Sequence, residues 1–230
     1  MSVNMLNNKP SAVLFDLDGT IADTALDLAA TLNHLLITSG RNEIHHDRVR
    51  NMVGEGARAL IIKGFEYNNE ELTDQEVEVL HDEYINYYRS HIADKTVLFP
   101  NVFITLETLV RQNIPLAICT NKSIELTHLL LKQLKIFDLF TAVTCGDSFA
   151  YKKPDPRHLI TTCKLMKADP KQAVMVGDSI NDIEAAKKAN MLSVGVSFGY
   201  TLTPINELSP NIIINHFNEF FDALNKVKPR

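Results

Sequence analysis

Several things are missing from this 230-residue sequence, and each absence removes a class of function. Lys and Arg total 23 against 28 Asp and Glu, a net charge of −5, and no basic run appears that would grip nucleic acid or an anionic membrane surface. No uninterrupted apolar stretch approaches the roughly 20 residues a membrane helix requires. The opening "MSVNMLNNKPS" lacks the basic start and apolar segment of a secretory leader. The cysteines number three, Cys119, Cys145 and Cys163, and have no CxxC spacing, so they read as buried reduced thiols and not as staples or metal ligands. No Gly-Lys dipeptide occurs, which excludes a Walker phosphate loop. Repeats and low-complexity tracts are absent as well. The expectation is a cytoplasmic monomer or homodimer whose partner is a small molecule, with no nucleic acid and no membrane involved.

The composition that is present, 45% hydrophobic and 22% charged, suits one large globular domain or a domain with an insertion. "AVLF" (Ala12 to Phe15) reads as a buried strand. Thr24 to Ser39 places Ala25, Leu28, Ala29, Leu32, Leu35 and Leu36 at helical spacing. Further helices are expected over Val49 to Met52, Ala57 to Phe65 and Val77 to Tyr88, with "GEG" (Gly54 to Gly56) as a breaker and no strand before Ile114. The acidic stretch Glu66 to Glu83, free of Lys and Arg, reads as a solvated face. From Pro100 onward the pattern alternates. Strands "IPLAIC", "TAVTC", "AVMVG" and "LSVGV" are separated by helices, as in right-handed βαβ units, and a short apolar run at Ile212 to Ile214 precedes a last helix. The fold class expected is α/β, a Rossmann-like parallel sheet core with helices on both faces and an all-helical insertion after strand one. The eight histidines are scattered and read as surface residues.

In parallel sheets ligands bind beyond the carboxyl ends of the strands, and here chemistry collects there. Strand one runs into Asp16-Leu17-Asp18-Gly19-Thr20. Strand two ends in Thr120-Asn121-Lys122, strand three is followed by Lys152-Lys153-Pro154, and strand four by Asp178-Ser179 and Asp182. Each piece has an ordinary reading. Asp178 or Ser179 could cap the next helix with Asp182 bonding back, Thr120 and Asn121 could form a turn, and Lys153 could be a surface charge. Their convergence on one sheet edge weakens those readings. Clustered buried carboxylates need a proton or cation, and an oxygen-only cluster suits Mg²⁺. Of Asp16 and Asp18, one can bind metal and attack while the other handles protons. Thr120, Asn121 and Lys153 suit the spreading of positive charge over a transferring phosphoryl group.

"DLDGT", "TN", "KKPDP" and "GDSIND", in that order, resemble the four motifs of the haloacid dehalogenase-like hydrolase superfamily. The stretches "DTALDLAATLN", "VGEGARAL", "LFPNV" and "VSFGYT" extend the resemblance to its phosphoglycolate phosphatase family. That resemblance implies a catalytic core over 1–22 and 95–230 with a helical cap over 23–94. It implies that Asp16 is the nucleophile, Asp18 the general acid/base, and that Mg²⁺ is held by the Asp16 side chain, the Asp18 backbone carbonyl and Asp178. Thr120 and Lys153 would grip the phosphate, supported by Asn121, with Thr20, Ser179 and Asp182 behind. The implied reaction is hydrolysis of a small phosphate ester, 2-phosphoglycolate foremost, in carbohydrate metabolism. Dehalogenation is disfavoured because the name-giving dehalogenases lack the second aspartate.

Other readings compete. "GVSFG" (Gly195 to Gly199) fits a serine nucleophile elbow, with Ser197, Glu207 and His216 in hydrolase order, but "YTLTP" gives no helix after the serine. A signalling receiver would lack both Asp18 and the helical insertion. "DLDGTIADTALD" fails as a calcium loop, because its glycine and its twelfth residue are wrong. A phosphatase for another small phosphate such as a sugar phosphate, or a phosphomutase on the same scaffold, stays open. For the substrate, "GEGAR" is the insertion's one ligand-facing segment. Gly54 and Gly56 permit close backbone approach, and Arg58 can present a fork to a carboxylate or stand solvated on a turn.

Overall fold

In the computed structural model, which describes residues 6–200 and 202–226, the apolar run Val13–Phe15 forms β1 with all three residues buried. It is followed by β2 (Ala22–Asp23), α1 (Ala25–Thr38), α2 (His46–Arg50), α3 (Ala57–Tyr67), α4 (Asp74–Ser90) and β3 (Val97–Leu98). Helices and strands then alternate as far as β7: α5 (Val102–Arg111), β4 (Leu116–Cys119), α6 (Ile124–Gln133), β5 (Ala142–Thr144), α7 (Pro156–Leu165), β6 (Val174–Gly177), α8 (Ile180–Lys188) and β7 (Leu192–Val196), after which β8 (Ile212–Ile214) follows without an intervening helix among the described residues and α9 (Phe220–Lys226) closes the order. Six strands pair in the order β5-β4-β1-β6-β7-β8, every pair parallel. β1, paired with β4 on one side and β6 on the other, lies inside the sheet.

Because successive side chains of a strand point to opposite faces, the apolar runs build two separate cores. Leu14, Ala117, Cys119 and Met175 meet Leu159 and Cys163 of α7 and Ala185 and Ala186 of α8. Val13, Phe15, Ile118 and Val176 face the other way, into the cluster that includes Leu106 of α5, Leu130 of α6 and Phe220 of α9. The expected α/β sheet covered on both faces is therefore present. All three cysteines are buried and free. Among the described residues no helix is long and apolar enough to cross a membrane.

Two expectations need correction. No strand was expected between Phe15 and Ile114, yet β2 and β3 pair antiparallel, with Ala22 opposite Leu98 and Asp23 opposite Val97. Strands of two residues carry no period for the sequence to display. The chain thus leaves the sheet and returns through one ribbon, with α1–α4 between its two legs. The buried Asp27 carboxylate reinforces the return by accepting from the Lys95 and Thr96 amides at 3.0 and 2.8 Å and from Thr96 Oγ1 at 2.7 Å. The second correction concerns His158, which is fully buried in α7 and not on the surface. Its ring stands edge-on to Phe149, and burial pushes its pKa down to about 4, with the Lys153 charge adding to the effect.

Candidate active site

The sheet extends into the first acidic residue: the Asp16 amide donates to Val176 O at 2.9 Å, which fixes the backbone beneath its carboxylate. The chain then turns sharply at Gly19, whose φ is +79°. Only glycine suits that position. A Cβ there would also stand 2.6 Å from Asp178 Oδ2, so the turn passes directly over the second acidic loop.

Lys153, expected to touch phosphate, is 2% exposed and lies between two carboxylates. Its ammonium is 2.6 Å from Asp182 Oδ1 and 2.9 Å from Asp16 Oδ1. Asp182 turns its other oxygen to the Ser179 amide at 3.0 Å and hydroxyl at 2.7 Å, so the capping box read from the sequence is real and serves the lysine too. Asp178 accepts from Thr20 Oγ1 and from the Tyr200 amide, both at 2.8 Å. Asn121 donates to Lys153 O at 3.0 Å and to Gly54 O at 3.2 Å. Thr120 Oγ1, buried at the end of β4, accepts from the Lys122 amide at 3.3 Å. Asp16, Asn121, Lys153, Ser179 and Asp182 are therefore bonded into one network at the carboxyl edge of the sheet, with the Thr20–Asp178 pair close beside it and Thr120 at the neighbouring strand end.

One participant was not picked out by sequence reasoning. Lys122 is buried, and its ammonium bonds both Asp18 oxygens, at 3.0 and 3.1 Å, and Tyr88 OH at 3.1 Å. It also lies 4.7 Å from the centre of the Tyr88 ring. Its one sequence signal was its place two residues after Thr120, at a strand end already marked by other groups.

The electrostatics follow from burial. Asp16 is pushed up by desolvation, against the pull of Lys153 and with a further push from Asp182; Asp178 is pushed up by desolvation and by Asp182 and Asp16. Burial works against the Lys153 charge, but Asp16 and Asp182 outweigh it and hold the ammonium above its ordinary value. The carboxylates of Asp16, Asp178 and Asp182 offer oxygens all within 4.8 Å of one another, three acidic groups set against the Lys153 ammonium. Asp182 is spent on Ser179 and Lys153, so Asp16 and Asp178 have the spare capacity. Crowded buried acids that outnumber the ammonium beside them fit a hard divalent cation, and Mg²⁺ among such ions.

Above this assembly lies a cavity of about 350 Å³. Asp16, Asp18, Thr120 and Lys122 line one side; Gly54, Gly56, Arg58, Tyr84 and Tyr88 come from the helical segment opposite. The loop carrying the glycines is tied to the sheet edge. Gly54 O accepts from Asn121 and Asn181, and Glu55 O from Lys152 Nζ at 3.0 Å. Gly54 and Gly56 have φ of +120° and +99°. Arg58 lines the cavity, but its guanidinium is exposed and paired through both terminal nitrogens with Glu78 of α4. A larger cavity, about 460 Å³, opens elsewhere among Lys9, Lys171 and Lys187 and contains none of the strand-end groups, so the chemistry and not the volume identifies the site. The serine-hydrolase alternative has no geometric support, since Ser197 is exposed and donates to Asn215 Oδ1 at 2.6 Å.

Comparison with known proteins identifies the family. The family model described as haloacid dehalogenase-like hydrolase matches residues 13–196. The chain is 41% identical over 211 residues to a phosphoglycolate phosphatase of Agrobacterium fabrum, covering 92% of this chain and 91% of the relative. A solved structure of a predicted phosphoglycolate phosphatase from Haemophilus somnus superposes with a TM-score of 0.89 at 31% identity, covering 94% of this chain and 98% of that one. A β-phosphoglucomutase from Clostridium difficile, at 22% identity and a TM-score of 0.73 over 94% of this chain and 98% of that one, shares the fold alone.

Proposed function

This chain belongs to the haloacid dehalogenase-like hydrolase family and is a phosphoric monoester hydrolase, and on that premise we propose that it converts 2-phosphoglycolate to glycolate and phosphate by a Mg²⁺-dependent reaction at Asp16. The observation that carries the reading is the arrangement around Asp16: a buried carboxylate beside Asp178 and Lys153, opening on a cavity whose near wall also holds Asp18.

In this mechanism the Asp16 carboxylate attacks phosphorus in line and the ester bond breaks, leaving an acyl phosphate on Asp16. Asp18 delivers a proton to the departing oxygen. It then takes a proton from the water that attacks the acyl phosphate, and phosphate leaves with Asp16 restored. Thr120, Asn121 and Lys153 orient the phosphoryl group and Lys153 balances its charge. Asp16, Asp178 and the Asp18 backbone carbonyl would hold Mg²⁺, which when bound would neutralise the charge gathered on the phosphoryl oxygens. Thr20, Ser179 and Asp182 fix the ligands and the lysine from behind.

The same proposal divides the chain into a catalytic core, 1–22 and 95–230, and a cap, 23–94, that closes over the substrate. A cavity of about 350 Å³ is at the small end of the range for ligand sites, which supports a compact phosphate ester. The test is phosphate release from a panel of esters with Mg²⁺ and with chelator. The expected result is 2-phosphoglycolate among the best substrates by kcat/KM and no release without metal. Preference for a sugar phosphate would replace the substrate but keep the chemistry; transfer of phosphate between positions of a sugar without release would mark a mutase.

A further inference from the structure

Tyr84 stands on α4, 1% exposed, in the wall of the cavity, and its buried hydroxyl has no hydrogen-bond partner. A buried hydroxyl left unpaired costs about 1–3 kcal/mol, so an orphan on a residue that lines a cavity is a donor in want of a partner. The other polar groups on the same wall are engaged. Arg58 is paired with Glu78, Glu55 with Lys63, and Tyr88 OH accepts from Lys122. His81 also lines the cavity and has its Nδ1 3.9 Å from an Asp82 oxygen.

From this geometry we propose that Tyr84 is the specificity-determining residue for the non-phosphate end of the substrate, its hydroxyl donating a hydrogen bond to a carboxylate oxygen of a small phosphorylated acid. The inference rests on the phosphatase reading above and replaces Arg58 as the recognising group. Position supports it. Tyr84 and Tyr88 are one helical turn apart with ring centres separated by 5.9 Å, and the Tyr88 hydroxyl joins the Lys122 ammonium that holds Asp18. Tyr84 therefore stands on the side of the cavity where the leaving group departs. Burial holds its hydroxyl well above the ordinary tyrosine range, so it remains a donor at any working pH. Its cavity neighbours Leu28, Leu60 and Ile85 are apolar and offer the substrate no competing partner. A site built to hydrogen-bond a polar group discriminates strongly against analogues that lack it, because its own polar group then stays unpaired.

The experiment compares wild type and Tyr84→Phe on 2-phosphoglycolate and on ethyl phosphate, which lacks the carboxylate. The expected result is a fall of about tenfold or more in kcat/KM for 2-phosphoglycolate with ethyl phosphate unchanged. The melting temperature is expected to hold or rise, since the variant removes an unpaired hydroxyl from the interior. An equal fall on both esters, or a lowered melting temperature, identifies a structural role and overturns the proposal. So does an unaltered Tyr84→Phe, or loss of the preference in Arg58→Ala alone. A wild type that releases phosphate from neither ester overturns the phosphatase reading and this proposal with it, whereas hydrolysis of both esters with an unaltered variant overturns this proposal alone.

Discussion

The Lys122 ammonium sits between Asp18 and the Tyr88 hydroxyl, within 3.1 Å of both, and so joins the carboxylate proposed to move protons to the helix that covers it. Both ends of this contact are largely buried, with side-chain exposures of 5% for Lys122 and 14% for Asp18. Removing the ammonium leaves a carboxylate in a nearly dry site without its counter-charge.

Lys122→Met is accordingly expected to lose about tenfold or more in kcat and to destabilise the fold by about 1–3 kcal/mol. Lys122→Arg, which keeps the charge, should recover part of both. Steady-state kinetics and urea midpoints check this; a variant with wild-type kcat would show that Lys122 only fills space.

Asp16→Asn is expected to fold normally and to lose at least about a hundredfold in turnover, because an amide neither attacks phosphorus nor carries the charge that holds a cation. Asp178→Ala should act differently, raising the Mg²⁺ concentration needed for half-maximal rate. Calorimetric Mg²⁺ titration of both variants gives a readout independent of turnover, and an unchanged affinity in Asp178→Ala would remove it from the metal site.

His158 predicts a pH effect. Its pKa falls from 6.5 to about 4 on folding because burial disfavours its charge, and Lys153 adds to this. The unfolded chain therefore binds the proton first as pH drops. The stability that His158 contributes as a neutral ring is complete above about 6.5 and is lost between 6.5 and 4, with a slope of at most about 1.4 kcal/mol per pH unit. Relative to wild type, His158→Leu should show a shallower loss of stability across that window. Parallel stability curves for the two proteins would mean that the ring takes up its proton without leaving the fold.

Asp27→Ala removes an acceptor shared by two backbone amides and a hydroxyl on the returning leg of the ribbon. The expected cost is about 2–4 kcal/mol from buried donors left unpaired, with faster amide exchange at Lys95 and Thr96 than elsewhere in the sheet. Uniformly faster exchange across β1, β4 and β6 would instead indicate general loosening.

The sheet was legible because each strand is a short apolar run at a regular interval, and because the residues that follow the runs are charged where a plain turn would need no charge. Asp16, Lys153 and Asp178 could be placed on one edge by topology alone. What the sequence did not display was orientation. Arg58 stands in a segment with glycines suited to ligand approach, but Glu78, twenty positions on, holds its guanidinium at the surface. Lys122, His158 and Tyr84 are residue types that usually meet water, and only tertiary packing, such as that of α4 on α1 and α3 and of α7 on β4 and β5, takes them out of it. The ribbon of β2 and β3 is two residues wide on each side and falls below any periodic signal.

That ribbon has a further consequence. Because the outgoing and returning legs are hydrogen-bonded neighbours, the 25–90 stretch leaves and rejoins the sheet at one place along the chain, and its length makes almost no demand on strand register. Another polypeptide of different size could be grafted onto Asp23 and Val97 without shifting β1 against β4. The ribbon begins four residues after Asp18, so any swing of what it carries is delivered first to the Gly19 turn. A chain built this way can vary the length and sequence of its helical stretch while keeping, unaltered, the sheet edge that carries Asp16 and Asp178.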